Sequence, residues 1–340
     1  MRDLVIVIAD LYLPHAADID ATPTGARFPG LERIARFGER SPLAHGWRAW
    51  LAGRCARADL IGVAPACIAA AASDAAPAGA TRWLATPLHL SAGPAGVHLD
   101  RRGILRLRAA ELAELAAGFA ASFAGAGLVL RPLHSGEFLL DATGIPAIES
   151  TEPALCLGGD LAQALPRGAA AVPLRRALAE IEMWLHGAAL NEARARRGEP
   201  PVTTLWLWGG GRCEVRPERR AAAHTWPAYG ADAYLQGLWH LQGSVCRDLP
   251  ERLEGAPGAQ AGGAVWVLEV GRQLQIDGNA TFEEALARLD AAFVSPALEA
   301  LRRGALASVT VVANDRLTTL GRRSGLRLWR RPRAGLRSLT

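Results

Sequence analysis

Leu4-Val5-Ile6-Val7-Ile8-Ala9-Asp10 combines six consecutive apolar residues with an acidic residue directly after them. A continuous apolar run of this length is typical of a strand in a parallel sheet that helices cover on both faces. Asp10 would then lie just past the carboxyl end of the strand, at the edge where open α/β sheets place their chemistry. The run therefore predicts an α/β fold built on a mostly parallel sheet.

Further patterns along the 340-residue chain support this fold class. Apolar residues at helical spacing predict a long helix over residues 173–197, and a capping box at Thr281 opens a later one. Strand-like runs cover residues 204–208, 264–270 and 308–313. A strand, a helix and a strand in succession imply a right-handed parallel crossover.

A second, smaller unit is indicated between about residues 80 and 170. Leucines and phenylalanines at helical spacing over residues 108–123 are followed by two strand-like runs, which suits an α+β unit. We therefore expect residues 1–80 and 171–340 to form the α/β core, flanked by helices, and residues 81–170 to form an inserted α+β subdomain.

The positive charge is concentrated at one end of the chain. The chain has a net charge of +5, and residues 302–340 alone hold ten arginines and a single acidic residue. Around Trp329, arginines could contact phosphates while the indole stacks on a base. Residues 302–340 are therefore a candidate nucleic-acid surface. The alternative is a packed terminal strand with solvated arginines.

The cysteines and the apolar runs bear on location. The five cysteines, at positions 55, 67, 156, 213 and 246, form no C-x-x-C pair and leave an odd one over. This argues against a disulfide framework and a zinc ribbon, and for a reduced, cytoplasmic setting. The apolar runs are too short for a signal peptide or a membrane span, so we expect no membrane partner.

A glycine run follows the predicted strand over residues 204–208. Gly209, Gly210 and Gly211 could present bare backbone N–H groups to an anion, and Arg212 could add a charge-assisted contact. The alternative is a turn that needs a positive φ. The run is a candidate ligand-binding site.

Polar residues near the end of the helix over residues 173–197 form a second candidate binding site. Glu182 and His186, followed by Asn191 and Arg194, could line a cleft as a polar ledge. The alternative is a helix end at which positive charge is favourable next to the helix dipole.

Three acidic residues near predicted strand ends are candidate metal ligands. If Asp10, Asp277 and Asp315 converge at one edge of the sheet, their carboxylates could hold Mg²⁺ or Mn²⁺. The sequence lacks a G-x-S-x-G elbow, a Walker A loop and a G-x-G-x-x-G run, which removes the commonest hydrolase and nucleotide-binding signatures.

Several longer stretches resemble a known family. Those similar to the archaeal-type cofactor-independent phosphoglycerate mutases are residues 28–38, residues 151–153, His186 with Asn191 and Arg194, and residues 204–211. Residues 82–90 and 180–211 resemble a bacterial offshoot that is described either as a phosphoglycerate mutase or as an RpfE-type regulatory protein. The resemblance implies an alkaline-phosphatase-like α/β core that is interrupted by a smaller unit.

The resemblance also implies a site at which two metal ions flank a Ser or Thr nucleophile. Asp10 matches the first metal-binding aspartate. The nucleophile segment stands as Pro65-Ala66-Cys67-Ile68, so the hydroxyl is missing and Cys67 is a neighbour of its position. Asp277 and Asp315 stand where the family has its later ligands, but the accompanying histidines are missing.

From these departures we expect a binding or regulatory protein that has lost phosphoryl transfer and needs no cofactor. Its expected ligand is a phosphorylated or carboxylate small molecule near residues 209–212. The first alternative is a metal-dependent phosphomutase or phosphatase that uses Mn²⁺ or Mg²⁺ at Asp10, Asp277 and Asp315, with Cys67 nearby. The second alternative is nucleic-acid binding through residues 302–340.

Overall fold

A computed structural model describes residues 2–13, 26–43, 45–73, 77, 79–93, 96–213, 218–220, 226–253, 262–313, 315–322 and 324. The strands are β1 (Asp3–Ile8), β2 (Glu39–Pro42), β3 (Thr81–Leu88), β4 (Ser91–Gly93), β5 (Gly96–Leu99), β6 (Leu128–Pro132), β7 (Phe138–Ala142), β8 (Gly159–Asp160), β9 (Thr204–Arg212), β10 (Ala228–Tyr229), β11 (Cys246–Arg247), β12 (Gly263–Leu268), β13 (Ser308–Ala313) and β14 (Arg316–Gly321). The α-helices are α1 (Pro29–Phe37), α2 (Gly46–Arg54), α3 (Pro65–Ala69), α4 (Ala109–Ser122), α5 (Val172–His186), α6 (Ala189–Arg196), α7 (Ala233–Leu241), α8 (Val270–Ile276), α9 (Phe282–Leu289) and α10 (Ser295–Arg302).

The chain forms two compact units, and the first comprises residues 1–61, 220–235 and 242–340. Its seven-stranded sheet has the order β11-β10-β12-β1-β13-β14-β2. β1 runs parallel to both β12 and β13, while β14 pairs antiparallel with β13 and β2. The predicted α/β fold with a mostly parallel sheet flanked by helices is therefore confirmed.

The apolar run at the start of the chain is the central strand of this sheet. Residues 4–8 are each at most 2% exposed, as expected for a strand that is covered on both faces. Leu31 and Ile34 of α1, Leu286 of α9 and Leu301 of α10 belong to the same core cluster. Burying a side chain of this size contributes about 1.5–3 kcal/mol to stability.

Asp290 attaches α1 to a helical segment far away in the sequence. It begins a π-helical turn over Asp290–Val294 and is 0% exposed. Its carboxylate accepts hydrogen bonds from the backbone N–H groups of Gly30 at 3.0 Å and Leu31 at 2.7 Å. α1 has no side-chain cap at its own N-terminus. Asp290 therefore supplies the acceptors that the first turn of α1 needs.

The second unit comprises residues 62–219 and 236–241. It holds an antiparallel sheet of order β6-β7-β3-β9 and a smaller sheet of order β4-β5-β8. The sequence places residues 171–219 in the core domain, whereas here β9 pairs with β3 and lies in the sheet of the second unit. An apolar strand pattern does not reveal which sheet a strand joins, because either sheet would bury it.

The helix predicted over residues 173–197 is two helices. α5 ends at His186, with Gly187 as its C-cap, and α6 starts at Ala189. The glycine run also differs from expectation, because residues 209–211 continue β9 and do not lie in a turn that follows it. Gly211 pairs with Arg82 of β3 in the sheet.

Candidate functional site

The glycine run of β9 packs closely against protein side chains. A Cβ atom at Gly210 would lie less than 3.0 Å from the Trp83 ring, and one at Gly211 equally close to Ala64. At Gly209, which has a φ of +60°, it would lie 3.0 Å from Pro65. These glycines therefore allow β9 to approach α3 and Trp83. In this conformation those neighbours fill the space in which an anion was expected.

Cys67 and Cys213 form a disulfide bond. Cys67 lies in α3 and is 5% exposed, and Cys213 directly follows β9. Their Cα atoms are 5.5 Å apart although the residues are 146 positions apart in the sequence. The sequence argues against a disulfide framework, and this one bond departs from that expectation because spacing in the sequence carries no information about a contact made by folding. While it is bonded to Cys213, the Cys67 sulfur cannot act as a nucleophile.

The other three cysteines are free thiols. Burial raises the pKa of Cys55 and of Cys156 to about 11. Burial likewise raises the pKa of Cys246 to about 12. Because the thiolate is the reactive form of cysteine, these side chains are poor nucleophiles at neutral pH.

Asp10 lies past the carboxyl end of β1, as the sequence predicts, and it is 8% exposed. Its Oδ1 accepts a hydrogen bond from the Val270 N–H, and its Oδ2 accepts one from the Gly271 N–H, each at 2.7 Å. Both donors belong to the first turn of α8. A carboxylate at a helix N-terminus also interacts favourably with the helix dipole. In this arrangement Asp10 stabilises the start of α8.

The other two candidate metal ligands are in different surroundings. Asp277 ends α8 and accepts a hydrogen bond from Arg288 at 2.6 Å, and this bond lowers the pKa of Asp277. Asp315 is exposed between β13 and β14, with a φ of +54°. Within the described part of the chain, no three Asp, Glu, His or Cys residues are grouped so that they could hold a metal ion. The described residues therefore do not fit a two-metal centre.

Asn191 and Arg194, two of the candidate ligand-binding residues, hold a loop. The Asn191 side chain donates to the Leu185 and Val202 carbonyls and accepts from the Val202 N–H, at 2.8–2.9 Å. Arg194 is 6% exposed and donates to the Pro200 carbonyl at 2.8 Å. These bonds fix the connection between α6 and β9. His186, the third candidate, is exposed at the end of α5.

Arg194 also belongs to an ion-pair network that the sequence did not indicate. Glu111 accepts hydrogen bonds from Arg108, Arg194 and Arg197 at 2.7–3.0 Å. Glu199 belongs to the same network, because it accepts hydrogen bonds from Arg108 and Arg197. Burial opposes ionisation of Glu111, but the Arg108 N–H and the Arg194 guanidinium outweigh it and lower its pKa. The hydrogen bond from Arg197 lowers the pKa of Glu199 to about 2.

The arginine-rich end is described only in part. Arg302 and Arg303 pair with Glu299, and Arg322 donates to the backbone carbonyls of Leu306 and Gly304. Trp329 and residues 325–340 lie outside the described residues, so the nucleic-acid surface stays a prediction. None of the helices in the described ranges has the length and apolar character to cross a membrane.

No protein-family model and no curated protein matches the chain. It is similar to the solved structure of a cofactor-independent phosphoglycerate mutase from Thermoplasma acidophilum DSM 1728, with a TM-score of 0.37 and 13% identity over 94% of this chain and 90% of that chain. It is also similar to the PH0037 protein from Pyrococcus horikoshii, with a TM-score of 0.46 and 13% identity over 99% of this chain and 91% of that one. Likeness at this level does not define an activity.

Proposed function

We propose that this chain is a cytoplasmic binding or regulatory protein with a phosphoglycerate-mutase-like fold and without phosphoryl-transfer activity. The observation that carries the proposal is the state of Asp10, the residue that matches the family's first metal ligand. Both of its carboxylate oxygens accept backbone N–H groups of α8. Each oxygen thus already accepts one backbone N–H, and a metal at Asp10 would have to share the carboxylate with two amides of α8.

The nucleophile position gives separate support. α3, where the resemblance places that position, reads Pro-Ala-Cys-Ile-Ala over Pro65–Ala69 and carries no hydroxyl. Its one nucleophilic atom, the sulfur of Cys67, is bonded to Cys213. A phosphoryl group would therefore find no acceptor on this helix.

The ligand we propose is a phosphorylated small molecule. Its support is the resemblance of residues 204–211 to the mutases, together with the exposed Arg212 at the end of β9. Guanidinium groups bind phosphate through paired hydrogen bonds. Because side chains pack against residues 209–211, we place the ligand at Arg212 and outside the glycine run.

Two assays test the proposal. Purified protein supplied with 3-phosphoglycerate or p-nitrophenyl phosphate and Mn²⁺ should show no more turnover than the Asp10→Ala variant. Turnover by the wild type that Asp10→Ala abolishes and the exposed surface variant Glu114→Gln retains would overturn the loss of catalysis.

Calorimetric titration with 3-phosphoglycerate tests the ligand class. Binding should be lost in Arg212→Ala and retained in the matched surface variant Arg302→Ala. No heat of binding with the wild type, or equal binding by both variants, would refute a phosphorylated ligand at Arg212.

A further inference from the structure

We propose that Cys67 and Cys213 form a redox modification site that reacts with a low-molecular-weight disulfide such as oxidised glutathione. In the oxidised state the bond ties the end of β9 to α3. In the reduced state the two elements keep their packing contacts without a covalent link. The proposal involves neither Asp10 nor Arg212 and meets the function proposed above only at Cys67, whose sulfur is bonded in the oxidised state and a thiol in the reduced state.

Local packing positions the two sulfur atoms for reaction. Gly211 precedes Cys213 by two residues and would meet Ala64 and the Cys67 sulfur if it carried a side chain. Its missing side chain lets the end of β9 come close enough to α3 for a Cα–Cα distance of 5.5 Å. This distance lies in the range that disulfides require.

The remaining cysteines are not arranged as a second pair. Cys55, Cys156 and Cys246 are each free and partly buried. Burial raises the pKa of each of these thiols, which keeps the reactive thiolate scarce. Cys67 and Cys213 are the two cysteines that lie within bonding distance of each other, so an intramolecular disulfide is expected to form at this pair.

Exposure indicates the order of the steps. Cys213 is partly exposed, whereas Cys67 is 5% exposed. The Cys213 thiolate attacks oxidised glutathione, an S–S bond forms to one glutathione, and the other leaves as a thiolate that takes up a proton. The Cys67 thiolate then attacks the Cys213 sulfur and releases the second glutathione. Overall, two protein thiols lose two electrons and two protons, and one glutathione disulfide becomes two glutathione thiols.

The primary test is differential alkylation of the full-length protein in glutathione buffers of increasing oxidised-to-reduced ratio, read by peptide mass spectrometry. Alkylation of Cys67 and Cys213 should fall together and return on adding dithiothreitol, while that of the other three cysteines stays constant. Equal oxidation of all five cysteines, or full alkylation of Cys67 and Cys213 in the most oxidising buffer, would overturn the proposal.

Single variants test the order of attack. Cys67→Ser should accumulate a glutathione adduct on Cys213, because the resolving thiol is missing. Cys213→Ser should leave Cys67 alkylated and without an adduct, and Cys55→Ser should behave as the wild type. An adduct on Cys67 in Cys213→Ser would contradict the assignment of Cys213 as the first residue attacked.

Hydrogen exchange tests the structural effect. Amides of residues 209–213 should exchange several-fold faster in the reduced protein than in the oxidised protein, while those of β1 should not change. Identical exchange of residues 209–213 in the two states would show that the bond does not restrain β9. This result would overturn the proposed structural effect of oxidation.

Discussion

The Gly271 backbone N–H donates a hydrogen bond of 2.7 Å to Oδ2 of Asp10. The two residues are 261 positions apart in the sequence. β1 and β12 lie side by side and parallel, so the end of β1 meets the helix that follows β12. Asp10, the first of the candidate metal ligands, therefore forms hydrogen bonds with the backbone of the core.

Replacing Asp10 with alanine should lower the free energy of unfolding by about 2–3 kcal/mol, because two N–H groups of α8 lose a charged acceptor. Asp10→Asn keeps one oxygen and should lose less. Urea unfolding checks both values. The exposed Glu114→Ala of α4 is the control, and an equal loss in that variant would contradict a special role for Asp10.

Replacing Gly211 with alanine should destabilise the second unit by about 1–3 kcal/mol, because the new methyl group overlaps with Ala64. Gly278→Ala is the matched control, since a Cβ atom at Gly278 would meet nothing within 4 Å. Thermal and urea unfolding of the two variants provide the comparison. Equal stability of both variants would show that the contact with α3 relaxes at no cost.

The stability contributed by Asp290 should decrease as the pH rises. Burial raises the pKa of Asp290, although the hydrogen bonds from Gly30 and Leu31 oppose this shift. A raised pKa in the folded state means that the carboxyl group binds its proton more tightly there than in the unfolded chain. The contribution is therefore complete below the ordinary aspartate pKa of about 3.9 and declines through the raised value.

The measurement is urea unfolding of the wild type and Asp290→Asn from acidic to neutral pH. The free energy of unfolding of the wild type minus that of the variant should fall along this range. A difference that rises with pH would mean that the pKa of Asp290 is lowered in the folded protein.

The stability contributed by Glu111 should have the opposite pH dependence. Its pKa is lowered in the folded state, so its contribution is complete above the ordinary glutamate pKa of about 4.3 and disappears as the pH falls through the lowered value. Glu111→Gln should cost about 1.5–3 kcal/mol at neutral pH and less in acid. Denaturant unfolding of the wild type and of Glu111→Gln at neutral and at acidic pH measures this loss of stability. Glu114→Gln on the same helix is the control.

The sequence predicted those features that depend on neighbouring residues. The apolar run at residues 4–8 indicated a strand covered on both faces, because burial leaves a pattern that is visible within a few residues. The start of α9 at Thr281 was also predicted, and its Oγ1 accepts the Glu284 N–H at 3.2 Å. Both features are local.

The roles of the candidate site residues could not be predicted, because their partners lie far away in the sequence. The sequence makes Asp10 a candidate metal ligand, whereas its hydrogen bonds to residues 270 and 271 depend on the packing of α8. The sequence gives no sign of the role of Glu111, because its partner Arg194 lies 83 positions later. A glycine run is typical either of an anion-binding site or of a backbone segment that packs closely against its neighbours. The position of Trp83 distinguishes the two, and it follows from the pairing of β3 with β9.

The bond between Cys67 and Cys213 encloses nearly all of the second unit, which starts at residue 62 and whose main segment ends at residue 219. When the two cysteines are oxidised, residues 67–213 of this unit form a covalent ring. Closing a loop of that length removes chain entropy worth about 5 kcal/mol from the unfolded state, in the simplest polymer treatment. An unfolded ring keeps its two ends together, so refolding starts with its longest-range contact already made.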